Sequence, residues 1–141
     1  MAAMTWTELA ADRAFDRAVR ARRWSSFVAR LRRTCRCCLG LAVHAELPRS
    51  AGRAGVREIP LEEIRATVEP NRAEQFDSEF RPSKLARARW RRVWLAEETG
   101  TVLPPISVVH TGDGYAIRDG HHRVSVARAR GAAAITARVF A

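Results

Sequence analysis

The sequence predicts an α+β domain with a mixed sheet, carried behind a basic helical arm. Three observations lead there. The stretch after residue 83 spaces its large apolar residues as a helix does, and residues 106–118 read as a hairpin. The C-terminal residues then pass from a helical pattern into an alternating, β-branched one. At 141 residues, 28% charged and 47% apolar, the chain has the size and make-up to fold around one core.

Residues 1–50 read as the arm and 51–141 as the domain. The boundary is placed at Pro48 to Gly55, where proline, serine and two glycines interrupt both periodicities. In the arm, Trp24, Phe27, Val28 and Leu31 follow i, i+3, i+4, i+7 spacing and form one apolar stripe, while Phe15 and Val19 project to nearly the opposite side. A break at Ser25 or Ser26, either able to cap a new helix, reconciles the two stripes. Arg13, Arg17, Arg20, Arg22, Arg23, Arg30, Arg32, Arg33 and Arg36 make the arm cationic. A helix pair packed on the domain with an arginine-rich outer face is one reading; a DNA-backbone or anionic-membrane contact is the other.

In the domain, Val56 to Ile59 is a strand closed by Pro60, and Leu61 to Ala66 is expected as a helical turn. Glu69-Pro70-Asn71-Arg72 reads as a loop, because proline biases its predecessor away from helix. Ser83 is placed to cap a helix running to about Thr99, with Ala86, Trp90, Val93 and Trp94 inward and Lys84, Arg87 and Arg91 outward; Gly100 ends it. Ile106 to His110, the turn Thr111-Gly112-Asp113-Gly114 and Tyr115 to Arg118 make the hairpin. A helix from about His121 to Arg130 stops at Gly131, and Ile135 to Phe140 closes the domain, with Ile135, Ala137 and Val139 on one face.

The formal charge is +10, carried by arginine with Lys84 the only lysine, and the abundance of alanine and arginine suggests a GC-rich coding background as part of the cause. Such a charge favours polyanionic partners: nucleotides, DNA or RNA through non-specific contacts, or acidic lipid. Cys35, Cys37 and Cys38 crowd into one basic stretch, which suits reduced thiols rather than a disulfide framework. A zinc site would need a fourth ligand and only His44 lies near, so no metal site is expected. No apolar run reaches the ~20 residues of a membrane span. Glu8, Asp12 and Asp16 precede any hydrophobic stretch, so no secretory signal is read and a cytoplasmic location is expected.

The segment that carries chemistry is Ile117-Arg118-Asp119-Gly120-His121-His122-Arg123. It stands where a strand gives way to a helix, so the first backbone N–H groups lack partners and the helix dipole favours negative charge. Gly120 lets an anion approach the backbone, Arg123 offers a charged fork matched to phosphate oxygens, and His121 and His122 add donors tunable near neutral pH. Asp119 has two readings, a helix N-cap or a catalytic acid.

From Leu103-Pro104-Pro105-Ile106 through Asp119-Gly120-His121-His122-Arg123 to Ala127 and Gly131, the sequence resembles the ParB/sulfiredoxin superfamily, with Arg57-Glu58-Ile59-Pro60-Leu61-Glu62-Glu63-Ile64 similar to its opening strand and turn. The resemblance covers about residues 56 to 140 and leaves 1–50 outside. It implies a small ParB/sulfiredoxin-like fold that binds a nucleoside triphosphate, CTP or ATP with or without Mg²⁺. Gly120 and Arg123 match the Gly-Glu-Arg-Arg box of chromosome-partitioning ParB proteins, but His121 and His122 replace its Glu and first Arg. Against the Gly-Cys-His-Arg of sulfiredoxins, His121 stands in place of the reactive cysteine, so peroxiredoxin repair is not expected. Free-serine kinases of the superfamily are similar in having an Asp-Gly-His-His-Arg-like segment.

Two functions follow from the resemblance. One is a ParB-like nucleotide-binding module acting as a regulatory or DNA-associated factor. The other is a small-molecule phosphotransferase or nucleotide hydrolase, which needs an acid to take the substrate hydroxyl proton. Its candidate acids are Asp119, Glu58, Glu62, Glu63 and Glu69. Glu69 and Arg72 come first as site neighbours, because their loop resembles the family's Asn-Pro-Arg segment. A nuclease ranks last, since no carboxylate cluster suited to a catalytic metal is visible. The sequence ends at Ala141, before any helix-turn-helix domain of the ParB kind, so sequence-specific DNA reading is not expected of it.

Overall fold

A computed structural model describes residues 3–32, 41–43 and 53–140 of the chain. The cysteines, His44 and most of the expected boundary at Pro48 to Gly55 lie outside the described residues.

Over the described residues the fold is α+β, a six-stranded mixed sheet with four helices. The strands are β1 (Ala42–Val43), β2 (Arg53–Pro60), β3 (Ile64–Thr67), β4 (Ile106–Thr111), β5 (Gly114–Asp119) and β6 (Ala134–Phe140). The helices are α1 (Trp6–Leu31), α2 (Pro70–Ala73), α3 (Arg87–Glu98) and α4 (His121–Ala129). Across the sheet the strands run β1-β3-β5-β4-β6-β2. The β4–β5 hairpin and the β6–β2 pair are antiparallel, and the other neighbours are parallel. Among the described residues no helix is long and apolar enough to cross a membrane.

α4 lies between two cores, which is why its residues from His121 to Ala127 are buried with the sole exception of Arg123. Val124 and Ala127 join the sheet-side cluster of Ile64, Ile106, Val108 and Ile117. Val126 turns the other way, into a cluster built by α1 and α3 from Ala11, Phe15, Val19, Trp90 and Trp94. The indole N–H of Trp90 donates to Ser125 Oγ at 2.9 Å, tying α3 to α4. With both sides packed, the N-terminus of α4 is fixed against the sheet.

Four expectations are corrected. The arm has no break at Ser25 or Ser26: α1 is one helix of 26 residues, opened by a capping box in which Thr5 Oγ1 accepts from the Glu8 N–H and the Glu8 carboxylate accepts from the Thr5 N–H. Ala11, Phe15 and Val19, four residues apart, seat it on α3, where Phe15 meets Trp90 edge-on at 5.5 Å. The second stripe needs no second helix, because Trp24, Phe27 and Leu31 simply face outward at 67%, 51% and 69% exposure. Leu61 to Ala66 is not one helical turn. A 3₁₀ turn ends at Glu63, and Ile64–Thr67 pairs with β5 as a strand, its Ile64, Ala66 and Thr67 all buried. Glu69 to Arg72 is not a loop, since Pro70 takes the first position of α2 with Glu69 as its cap, a place where a missing N–H costs nothing. Arg91, expected outward, is half-buried with its Nε 2.8 Å from Asp12 Oδ1 on α1.

Other elements follow the expected pattern with shifted ends. Ser83 begins a 3₁₀ turn, without a side-chain cap, that leads into α3. Trp90 and Trp94 are buried, and Gly100 and Gly131 end α3 and α4 with positive φ. Thr111 and Gly114 belong to the hairpin's strands rather than to its turn.

Candidate functional site

β3 and β5 are parallel neighbours, so their carboxyl ends open on the same side, where β3 leads through Val68 and Glu69 into α2 and β5 through Gly120 into α4. Ligands of open α/β sheets settle in such a crevice, beyond the carboxyl ends of parallel strands. A cleft of about 520 Å³ occupies it here.

Its floor is the start of α4. Gly120, not Asp119, is the N-cap, with φ 114° and ψ 23°. A Cβ at this position would lie 2.4 Å from Cγ2 of Ile106, so only glycine allows β4 and the helix start to meet. Among the described residues no side chain caps the helix, which leaves its first N–H groups without a side-chain partner at the cleft.

The walls are cationic. Of the expected residues, Glu69, Arg72, Asp119, Gly120, His121, His122 and Arg123 all line this one cleft. Glu58, Glu62 and Glu63 do not. Arg89 and Arg92 from α3 and Arg118 from β5 join them, which sets five arginines against the carboxylates of Glu69 and Asp119. Arg89 and Arg92 escaped the sequence reading because α3 was divided into an inward and an outward face. Their spacing of three residues, beside half-buried Val93, marked a third face.

Both histidines are buried, at 4% and 9% exposure. His121 Nε2 and Thr67 Oγ1 share a hydrogen bond of 2.6 Å, and Thr67 Oγ1 also accepts from the Glu69 N–H at 2.9 Å, so one hydroxyl links β3, α2 and α4. Phe76 stacks on His121 and meets His122 edge-on. Phe76 is itself held by the loop after α2, where buried Asp77 accepts from the N–H groups of Glu79 and Arg81 through Oδ1. Burial, and after it the positive charge of Arg72, depresses each histidine to about 4. The expectation that these rings change charge near neutral pH is therefore corrected: at pH 7 both are neutral, with His121 bonded to Thr67, and the cleft's positive charge comes from arginine.

Arg123 is more constrained than an open fork. Its side chain is 15% exposed, with Nη1 donating to the Pro104 carbonyl and Nη2 to Asp119 Oδ2 at 3.1 Å. The guanidinium thus clamps the segment before β4 to the start of α4, and Asp119 is bound up in the clamp. No ion pair or side-chain hydrogen bond engages the Glu69 carboxylate among the described residues.

A larger cavity of about 800 Å³ lies on the α1 side, lined by Ala14, Ala18, Ala21, Leu61, Phe80 and Arg128 among others. Alanines of α1 and of the α4–β6 segment line much of it, its arginines stand beside Glu62 and Glu79, and Arg128 there is turned to the Leu61 and Ile64 carbonyls. The smaller cleft is the better candidate because helix N–H groups and arginines converge on it. Neither a family model nor a curated protein matches this chain.

Proposed function

We propose that the chain is a nucleotide-binding module that takes the phosphates of a nucleoside triphosphate, CTP or ATP, into the cleft at the start of α4, and that it serves as a regulatory factor of the ParB-like kind. One observation carries the reading: an uncapped helix N-terminus, opened by a glycine that tolerates no Cβ, faces a cleft with five arginines and two carboxylates. The donors are of the sort a polyphosphate requires, and three of the arginines, Arg72, Arg89 and Arg92, come from α2 and α3 and can reach phosphates beyond the one on the helix. The net charge of +10 also draws the protein to DNA, an attraction that weakens steeply with salt.

A second reading, a small-molecule phosphotransferase or nucleotide hydrolase, is favoured by Glu69. It stands on the cleft with no ionic partner among the described residues, whereas Asp119 is paired with Arg123. On that reading Glu69 takes the acceptor's proton.

The test is calorimetric titration of CTP, ATP and ADP, with and without Mg²⁺, into wild type, Arg123→Ala and the double variant Arg89→Ala/Arg92→Ala. Loss of binding in both variants, with unfolding curves that remain cooperative, supports the site. Full affinity in both variants, or no nucleotide bound by wild type, rejects it. Turnover of ATP that Glu69→Gln abolishes while binding persists selects the second reading.

A further inference from the structure

The outward face of α1 has an order that neither the fold nor the cleft explains. At 100° per residue, Trp6 and Trp24 are separated by about five full turns and project in the same direction. Leu31 falls beside them and Phe27 at the margin of the same strip. Their exposures are 85%, 67%, 69% and 51%, far above those of the helix's seated residues Ala11, Phe15 and Val19. Between the two tryptophans, on the same strip, stand exposed Arg13, Arg17 and Arg20. The acids of the helix are elsewhere: Glu8 closes the capping box, while Asp12 and Asp16 turn to Arg87 and Arg91 of α3. One face of a 26-residue helix therefore combines aromatic ends, a cationic middle and no carboxylate.

We propose that this face docks on the surface of an anionic lipid bilayer, with α1 lying in the plane of the headgroups. Charge complementarity selects the occupant. Arginine stems reach along apolar surface and leave the guanidinium at phosphate level, and tryptophan favours that same depth. A second copy of the chain, paired through this strip about a two-fold axis, would set Arg13, Arg17 and Arg20 against their own equivalents. A nucleic-acid duplex would accept the arginines but offers no apolar partner to Phe27 and Leu31. The inference is independent of the cleft, which lies at the α4 N-terminus and includes no residue of α1.

The experiment is co-sedimentation of the full chain with vesicles of phosphatidylcholine alone and with vesicles of equal parts phosphatidylcholine and phosphatidylglycerol. The protein should partition onto the mixed vesicles and remain in solution with the neutral ones. Arg13→Gln/Arg17→Gln/Arg20→Gln should weaken partitioning by about fivefold for each arginine removed. Trp24→Ala/Phe27→Ala/Leu31→Ala should weaken it by about tenfold or more. Val102→Ala, which trims the most exposed large apolar residue outside α1, should partition as wild type does. Absence of binding to the mixed vesicles, equal binding to both kinds, or undiminished binding of both α1 variants would overturn the proposal. So would a wild-type protein that ignores the vesicles but binds a DNA duplex, or itself, through residues 24, 27 and 31.

Discussion

Gly120→Ala is the sharpest probe of how the cleft is built. Two separate costs arise from the structure. The first is conformational: at φ 114° an L-residue is strained by about 1–3 kcal/mol. The second is steric, because the new Cβ would lie 2.4 Å from Cγ2 and 2.7 Å from Cβ of Ile106, which is 1% exposed on β4 and has nowhere to retreat. Overpacking of that kind costs about 1–3 kcal/mol more. Gly131→Ala supplies the control, since Gly131 also has a positive φ, 75°, yet nothing stands within 4 Å of its hypothetical Cβ. It should bear only a backbone cost, about 1 kcal/mol. Urea unfolding of the two variants against wild type then reads the excess cost at position 120, about 3 kcal/mol by difference, most of it steric. Adding Ile106→Ala to Gly120→Ala should recover part of it, because the closest atom is removed, and the double-mutant cycle reads that coupling directly. If Gly120→Ala costs no more than Gly131→Ala, β4 does not press against the start of α4, and the floor of the cleft is not built on that contact.

The remaining predictions concern the parts that hold the cleft in place. Because His121 and His122 are depressed to about 4 in the folded protein and return toward 6.5 on unfolding, the unfolded chain binds more protons between those values. Their contribution is thus fully present above pH 6.5 and is lost as pH falls toward 4, by about 3 kcal/mol per histidine at the limit. Unfolding free energies measured down that range should fall, and less steeply in His122→Gln; an unchanged slope would refute the assignment. Ser125→Ala leaves the buried Trp90 indole N–H without its acceptor and should destabilise by about 1–3 kcal/mol in chemical denaturation, with Trp90→Phe nearer to neutral in the Ser125→Ala background. Phe15→Ala empties the seat of α1 on Trp90 and should cost about 3–5 kcal/mol, with faster proteolysis within residues 6–31 as the sign that the helix has lifted.

The sequence marked the strand-to-helix junction at 119–123, the hairpin and the closing strand clearly, because each rests on local signals: a glycine before a helix, a tight turn, a two-residue period. Where it misled, the deciding contact was distant. Ile64 to Thr67 has too few residues to show a period and becomes a strand only because β1 and β5 flank it. Trp24, Phe27 and Leu31 have the spacing of a core stripe, but the domain has one seat for α1, and the four-residue ladder of Ala11, Phe15 and Val19 occupies it. The cleft was half legible. Adjacent residues at its floor announced themselves, and Glu69 and Arg72 came from a resemblance, while Arg89 and Arg92 arrive from a helix more than twenty-five residues upstream of the motif and left no local signature.

The neutral histidines change what the cleft can discriminate. Two protonated imidazoles at the mouth of α4 would have added charge that vanishes above neutral pH and would have attracted any anion. Buried against Phe76, they act instead as neutral rings, and His121 is further fixed by its hydrogen bond to Thr67. The positive field is left to guanidinium groups, which keep their charge at every physiological pH and bind with a directional fork. Arg123 and Asp119 add little net charge between them, since they neutralise each other, but they lock Pro104 and the start of β4 to the helix that presents the N–H groups. On the proposed reading, selectivity comes from geometry at the floor and from charge at the walls. A ligand that satisfies both must place one compact anionic group on Gly120 and extend further negative charge toward α2 and α3, as a chain of phosphates does and a single carboxylate does not.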